Sequence, residues 1–579
     1  MKKTGLILMI AAVCAACSQN VDVMIVGGGA SGTAAGVQAA RLGATTLIVE
    51  ETPWLGGMLT GAGVSAIDGN YDLRAGFFGE FTDAVADYYG GYDSLKTGWV
   101  SNIQFEPKVA AAILDSIASA EPNLKIWKCT RFVSAAKTDK GWKVTLEKDG
   151  KELNVKAKVL IDGTELGDVA SACGVSYELS PVVQDLTMVL TVKDYGTDQS
   201  IDMPEGYDPM RYANCCINPL NHPSDKNQVL WDVEHMMTYG RLPGGSVMLN
   251  WPIEGNDFYV NMVEMSREER GDAVQEAKLQ ALGYLYFIQN ELGLRNIGID
   301  KEQYPTEDGF PMIPYHRESR RIDGVYRYAE TEALDPYSTT AFRTGIAVGN
   351  YPIDHHHYQR SDWKNLPKSY NPIPSFTVPL GVMIPREVED LIVAEKSISV
   401  TSMMNGSTRL QPVTLELGQA AGVLAALAVQ GGCKVREVPV RQVQSLLLEA
   451  GARLQPYLDL QPGERGFEAL QRIGSTGILR GEGRNVGWSN QMWMRADEPL
   501  LWCDLYLDEY YGIAHNTSTD EVATAEFCEI LGQISGVRPE LNAAPLTAPL
   551  TRKEAAIIID SLLNPFEKFP VSHDGKLLR

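Results

Sequence analysis

Six residues, Gly27-Gly28-Gly29-Ala30-Ser31-Gly32, carry the most specific chemistry in the chain. They spell G-x-G-x-x-G directly after a valine-rich run, Val21 to Val26, and directly before an alanine-rich one, Thr33 to Leu42. The motif therefore stands between a predicted strand and a predicted helix. Gly27 permits the tight turn, Gly29 lets the backbone approach a pyrophosphate, and Gly32 lets the helix lie close on the strand. Ala30 and Ser31 then bear free N–H groups at the positive end of the helix, which suit phosphate oxygens. Thr45 to Glu50 reads as the next buried strand, and a carboxylate at its end, Glu50, accepts hydrogen bonds from an adenosine ribose. These residues predict dinucleotide binding by a βαβ unit.

A second group of polar residues lies far along the chain. Tyr351-Pro352-Ile353-Asp354-His355-His356-His357 sets three histidines beside an aspartate. On a strand, His355 and His357 share one face and His356 takes the other. Adjacent histidines without a carboxylate cluster do not predict a metal site, and none is expected. Tyr315-His316-Arg317-Glu318-Ser319-Arg320-Arg321 offers guanidinium groups for a carboxylate or phosphate clamp, with structural ion pairs as the alternative. Asn250, Asn256 and Asp257 border predicted strands and are suited to binding hydroxyls or shaping turns. The cysteines show no C-x-x-C, and Cys215-Cys216 reads as two buried thiols or a vicinal disulfide.

The elements that must position these groups define an α/β protein. A chain of 579 residues predicts two or three domains. Lys2 and Lys3, the apolar stretch Gly5 to Ala16 and the small residues before Cys17 predict a lipoprotein-type signal over residues 1–17. Cys17 becomes the lipidated first residue, and this anchor is the only membrane contact expected. Residues 18–175 and 378–460 form two parts of one Rossmann-like, doubly wound domain. Between them, residues 176–377 have many short strands, aromatics and polar turns, and read as an inserted α+β substrate domain. Residues 461–579 read as a mainly helical subdomain resembling an S-layer-homology module, with Thr551 capping a helix that continues to Leu563.

The choice of dinucleotide follows from Gly56-Gly57, a second glycine pair shortly after Glu50, and from the position of the first motif at the start of the mature chain. Both point to FAD. Trp54-Leu55-Gly56-Gly57-Met58-Leu59-Thr60 resembles a bacterial FAD-dependent oxidoreductase family of the two-dinucleotide-binding-domain type. The resemblance continues in Ile161-Asp162-Gly163-Thr164-Glu165-Leu166-Gly167-Asp168 and in Gly406-Ser407-Thr408-Arg409-Leu410-Gln411-Pro412, which leads into Gly418-Gln419-Ala420-Ala421-Gly422. It implies a doubly wound FAD-binding domain in which Gly56, Gly57, Met58, Phe132, Asp162, Gly163, Gly406 and Gln411 join the first motif and Glu50 around the cofactor. The helix that ends in Gly418 to Gly422 would point its N-terminus at the flavin pyrimidine edge, where its dipole favours the anionic reduced ring. Arg409 would add to that effect or grip the substrate, as would Arg317. The same resemblance makes His356 the acid/base and Asp354 the residue that orients it. Two positions depart from the family pattern, Glu165 and Glu395, each standing where a glycine is usual.

The charge of -22 repels nucleic acid and excludes a phosphate-backbone partner. The expected activity is hydride transfer between flavin N5 and a small polar substrate, a sugar or sugar acid suiting the exported location in the bacterial cell envelope. The electron acceptor is not specified by any motif. Two rivals are a flavin enzyme with net lyase chemistry and an exported glycan-binding protein whose flavin fold is vestigial.

Overall fold

The computed structural model describes residues 19–222, 229, 231–357, 359, 362, 365–366, 370–537 and 549–578. The signal segment, with Cys14 and Cys17, lies outside the described residues.

β1 (Gln19–Val26) buries Val23, Met24, Ile25 and Val26, as a strand flanked on both sides must. α1 (Ala30–Arg41) follows the glycine turn, and β2 (Thr46–Val49) lies parallel to β1 with Val23 opposite Thr46. β3 (Leu124–Trp127) extends this edge in parallel to β2. β4 (Thr130–Thr138), β5 (Gly141–Lys148) and β6 (Lys151–Asp162) form an antiparallel meander. The second half of β6 leaves the meander and pairs in parallel with β1, placing Asp162 beside Val26. The strand Leu391–Val393 pairs in parallel with the last residues of β6, so the chain returns to the sheet it left more than two hundred residues earlier.

The close approach of two helices closes this sheet on one face. The apolar helix Gln411–Gly431 carries Gly418 and Gly422 against α1. A Cβ on Gly418 would lie 2.1 Å from the Ser31 carbonyl oxygen, and one on Gly422 would lie 2.4 Å from that of Ala35. Gln419 Nε2 donates to Gln38 Oε1 at 3.0 Å across the contact. The helix is long and apolar enough to cross a bilayer, but 89% of its most apolar window is buried within the protein.

Whereas Tyr328, Ile346, Ile353 and Phe376 pack into the core of the nucleotide-binding sheet, residues 166–310 build a separate hydrophobic core around Trp251, Tyr284, Phe287 and Ile288. Its three-stranded sheet runs Val247–Leu249, Leu190–Asp194, Ile297–Ile299 and packs under the long helix Arg267–Asn290, which a Ser266–Glu269 capping box starts. The strand expected from Asp257 onward pairs only at Asp257–Phe258, and the Asn261 side chain then accepts from Val263 N in a local turn. Cys215 and Cys216 are buried free thiols. The C-terminal region has a third core, formed by helices Phe467–Thr476, Thr524–Ser535 and Arg552–Leu563 and the hairpin Glu482–Arg484/Gln491–Trp493. Thr551 Oγ1 caps the third helix by accepting from Glu554 N.

Because the two helices touch through backbone, a methyl group there has no room. Gly418→Ala is expected to destabilise the protein by about 1–3 kcal/mol, the usual range for overpacking. Urea unfolding read by tryptophan fluorescence measures this, and an unchanged midpoint would contradict the packing.

Candidate active site

The glycine turn makes backbone contact with two other loops. Gly27 has φ +92, and a Cβ there would lie 2.4 Å from the Gly163 carbonyl oxygen. A Cβ on Gly32 would lie 1.8 Å from the Gly27 carbonyl oxygen, so the helix can start only with glycine at that position. Gly57, at φ +50, has no room for a Cβ, which would meet the Gly29 Cα at 2.8 Å. Gly56 adopts φ +104 before it. Glu50 holds its place by accepting from Gly28 N and Thr52 N, both at 2.8 Å. Each carboxylate oxygen keeps a second lone pair for a ligand hydroxyl. Burial pushes this carboxyl up to about 7 against those bonds, and the Glu165 charge adds to the rise.

A cavity of about 670 Å³ opens between these loops and the inserted domain. It falls in the range of small-molecule sites. Of the residues expected at a cofactor, Gly27, Gly29, Glu50, Gly57, Phe132 and Gly163 line it. Ala30, Ser31 and Gly32 form the buried start of α1 just behind. Others serve the site from further back. Met58 is fully buried in the core. Asp162 directs both oxygens to its own turn, accepting from Thr164 N at 2.9 Å, Thr164 Oγ1 at 2.6 Å and Ala170 N at 2.7 Å. It therefore shapes the Gly163 loop. Gly406 is required by His355, whose Cδ2 would lie 2.5 Å from an added Cβ. Gln411 donates to the Ala66 carbonyl at 2.8 Å.

Glu395 and Glu165, the two departures from the glycine pattern, converge on Gly29. Glu395 Oε2 accepts from Ser31 N at 3.1 Å and from Ser31 Oγ at 2.7 Å. Lys396, also fully buried, pairs with Glu395 at 3.2 Å and with Glu165. Glu50, the glycine turn and the cavity fit the adenosine half of a dinucleotide. At the place of its diphosphate the chain supplies an anion of its own.

The histidine segment enters a polar cluster that also draws in Asp68 and Arg409 from distant parts of the chain. His355 and His357 are buried and His356 is less so, with the rings of the outer pair 6.3 Å apart. His356 is held at both nitrogens, by Asp257 Oδ2 at 2.8 Å on Nδ1 and by Asp354 Oδ2 at 3.1 Å on Nε2. Burial opposes a charged imidazole and Arg317 adds to that, but the two carboxylates outweigh both and raise its pKa. Asp257 is held down to about 2 against its burial, chiefly by Arg317 and His356. Arg317 NH1 donates to the Asp185 carbonyl at 2.8 Å and to Asp257 Oδ1 at 3.2 Å, and NH2 donates to Asn250 Oδ1 at 3.1 Å. Arg409 donates to Tyr315 Oη at 2.6 Å and to the Asp354 carbonyl at 3.0 Å. The remaining arginines of the 315–321 segment are structural: Arg320 joins Arg270 on Asp168, and Arg321 pairs with Glu318.

Two members of the cluster have no sequence signal of their own. Asp257 reads as a turn residue, yet it is the deeper of the two aspartates on His356, with its side chain 3% exposed against 22% for Asp354. Asp68 sits at the half-buried edge, where burial, then Asp354, push its carboxyl up to about 7.

A glycine turn between parallel strands, a ribose-ready glutamate and a matching cavity define a dinucleotide-binding protein. Residues 22–447 match the family described as FAD dependent oxidoreductase, and the chain belongs to that family. It is an enzyme, and its cofactor is FAD. Among solved structures, it is similar to L-proline dehydrogenase from P. horikoshii, with 16% identity over 29% of this chain and 25% of that one and a TM-score of 0.18. It is also similar to p-nitrophenol 4-monooxygenase from Pseudomonas putida DLL-E4, with 11% identity, a TM-score of 0.31 and coverage of 74% and 81%. A geranylgeranyl bacteriochlorophyll reductase-like protein from Thermoplasma acidophilum gives 12%, 0.35, 76% and 85% for the same measures.

The cluster has a pH signature. His356 titrates higher folded than its ordinary 6.5, so its contribution is complete below 6.5 and is lost as pH rises through the raised value. Asp257 contributes above its ordinary 3.8 and loses its effect as pH falls toward about 2. Urea midpoints of the wild type should therefore decline above pH 6.5 more steeply than those of His356→Gln. Parallel pH curves would contradict the ion-paired imidazolium.

Proposed function

We propose that this FAD-dependent enzyme oxidises or reduces a small polar substrate, a sugar or sugar acid, and that the cluster around His356 manages the proton. The observation that carries this reading is the enclosure of His356 between Asp257 and Asp354, with Arg409 tied to Asp354 from the segment that precedes the helix Gln411–Gly431. FAD, when bound, supplies the hydride acceptor or donor at N5.

The protein's part is positioning and proton transfer. Asp257, anchored by Arg317 and Thr187, fixes the imidazole through Nδ1. Asp257 thus takes the orienting role expected of Asp354, and Asp354 shares the outer side of the ring. A substrate hydroxyl or amine entering there meets Nε2 and the Asp354 carboxylate together. The imidazolium favoured by two carboxylates is a donor in the direction of reduction. Asp68, near neutrality in its proton affinity, is suited to take the proton in the direction of oxidation. Arg409 keeps Asp354 ionised and aimed at the ring.

The lipoprotein-type signal supports a place in the cell envelope, with the enzyme held through a lipid on Cys17 and meeting small molecules from outside. The intact glycine turn, cavity and buried proton-transfer groups favour catalysis over a vestigial flavin fold that only binds glycans.

Anaerobic bleaching of the flavin by a panel of sugars and sugar acids tests the substrate class, and bleaching by amino acids alone would contradict it. His356→Gln and Asp354→Asn should each lower the bleaching rate by about 10²-fold or more, as loss of a positioned acid/base does. Asp68→Asn should remove the fall in rate below about pH 7. A variant that keeps the wild-type acidic limb would remove Asp68 from the mechanism.

A further inference from the structure

The backbone at Glu395 is strained for the residue that occupies it. Its φ is +73, in the left-handed region where glycine is at ease and other residues are disfavoured. The side chain is fully buried, so solvent gives no reason to keep a glutamate there. What it gains is an anion site. The carboxylate takes the N–H of Ser31, second residue of α1, together with the Ser31 hydroxyl, at 3.1 and 2.7 Å. A free N–H at a helix start is what a phosphate oxygen otherwise takes.

The surroundings show the same competition. Glu395 Oε2 lies 3.5 Å from where a Cβ on Gly29 would stand, and Glu165 Oε1 lies 3.7 Å from it. Glu165 Oε1 is buried with no hydrogen-bond partner among the described residues. Lys396 bridges the two carboxyl groups, so two acids share one ammonium beside Gly29. Burial works against the Lys396 charge, but Glu165 and Glu395 outweigh it and keep the ammonium charged. A strained residue held by its surroundings at a ligand site points to function.

We propose that Glu395 is a resident anion in the diphosphate subsite: its carboxylate holds the α1 N-terminus until the diphosphate of FAD displaces it. This rests on the assignment of the cofactor to the glycine turn. On displacement Ser31 passes from one anion to another, and Lys396 is the cation at hand to pair with the incoming phosphate. Cofactor retention is then set by a competition inside the protein, with Glu165 adding repulsion from the other side. The adenosine end, held by Glu50, stands outside the competition.

Calorimetric titration of the flavin-stripped full chain with FAD, ADP and adenosine separates these contributions. Glu395→Gly relieves the left-handed backbone and removes the anion, while Glu395→Gln keeps the shape and removes only the charge. Both should bind ADP and FAD at least tenfold more tightly than the wild type, with adenosine affinity unchanged. The apo Tm of Glu395→Gly should not fall. Unchanged ADP affinity in both variants, or equal tightening of adenosine, would overturn the proposal while leaving the cofactor site in place. Failure of all three proteins to bind either FAD or ADP would overturn the cofactor placement and the proposal with it.

Discussion

The backbone contact between α1 and the helix Gln411–Gly431 is the constraint from which the site's geometry follows. Neither Gly418 nor Gly422 leaves room for a Cβ, so the two helices share one fixed separation. That contact joins the start of the nucleotide-binding domain to a segment nearly four hundred residues later. It also sets where Leu391–Val393 must lie on β6, and therefore where Glu395 and Lys396 emerge from that strand. Ser31 belongs to both sides: its carbonyl oxygen lies against Gly418 and its N–H meets Glu395. A shift of either helix would move the phosphate subsite and the Arg409 segment together.

Two buried charge groups lie near Tyr315 and differ in kind. Around His356, the cations Arg317, Arg409 and the imidazolium face Asp257, Asp354 and Asp68, whose carboxyl burial pushes up to about 7. The arginines there donate to carbonyls as well as carboxylates. Such a group is costly to break, because removing one partner leaves another charge buried and unpaired. Beside Gly29, Glu165 and Glu395 share one ammonium, and an oxygen of Glu165 has no partner among the described residues. In the second group two carboxyl groups face a single ammonium.

Much of the nucleotide-binding unit was legible because its signals are local. A valine run, three glycines and an alanine-rich stretch predict β1, the turn and α1 within a short window, and Glu50 follows at the end of β2. Gly163 was legible from motif resemblance, and the structure adds the reason, a backbone contact with Gly27. His356 was singled out by motif resemblance, and the structure places it between Asp257 and Asp354. Its inner partner was not legible: Asp257 precedes His356 by 99 positions and stands on a two-residue strand paired with Leu186–Thr187. No periodicity announces such a pair.

Glu165 and Glu395 mark a different limit. Each is visible in the sequence as a residue where glycine is usual, yet each by itself reads as a tolerated turn change. They acquire meaning only through convergence, since β6 delivers one and Leu391–Val393 the other to the same side of Gly29. Parallel neighbours in a doubly wound sheet end at the same edge, so loops after adjacent strands meet over the nucleotide site regardless of their distance in the chain. In such a fold, two departures following two adjacent strands form one structural change. Here that change replaces permissive backbone by a carboxylate on each side of the phosphate path, with Lys396 placed next in sequence to face both. Glu165 alone would leave the lysine with one counter-charge and no contest for the helix N-terminus, which only Glu395 reaches. The three residues together make the anion at that terminus exchangeable.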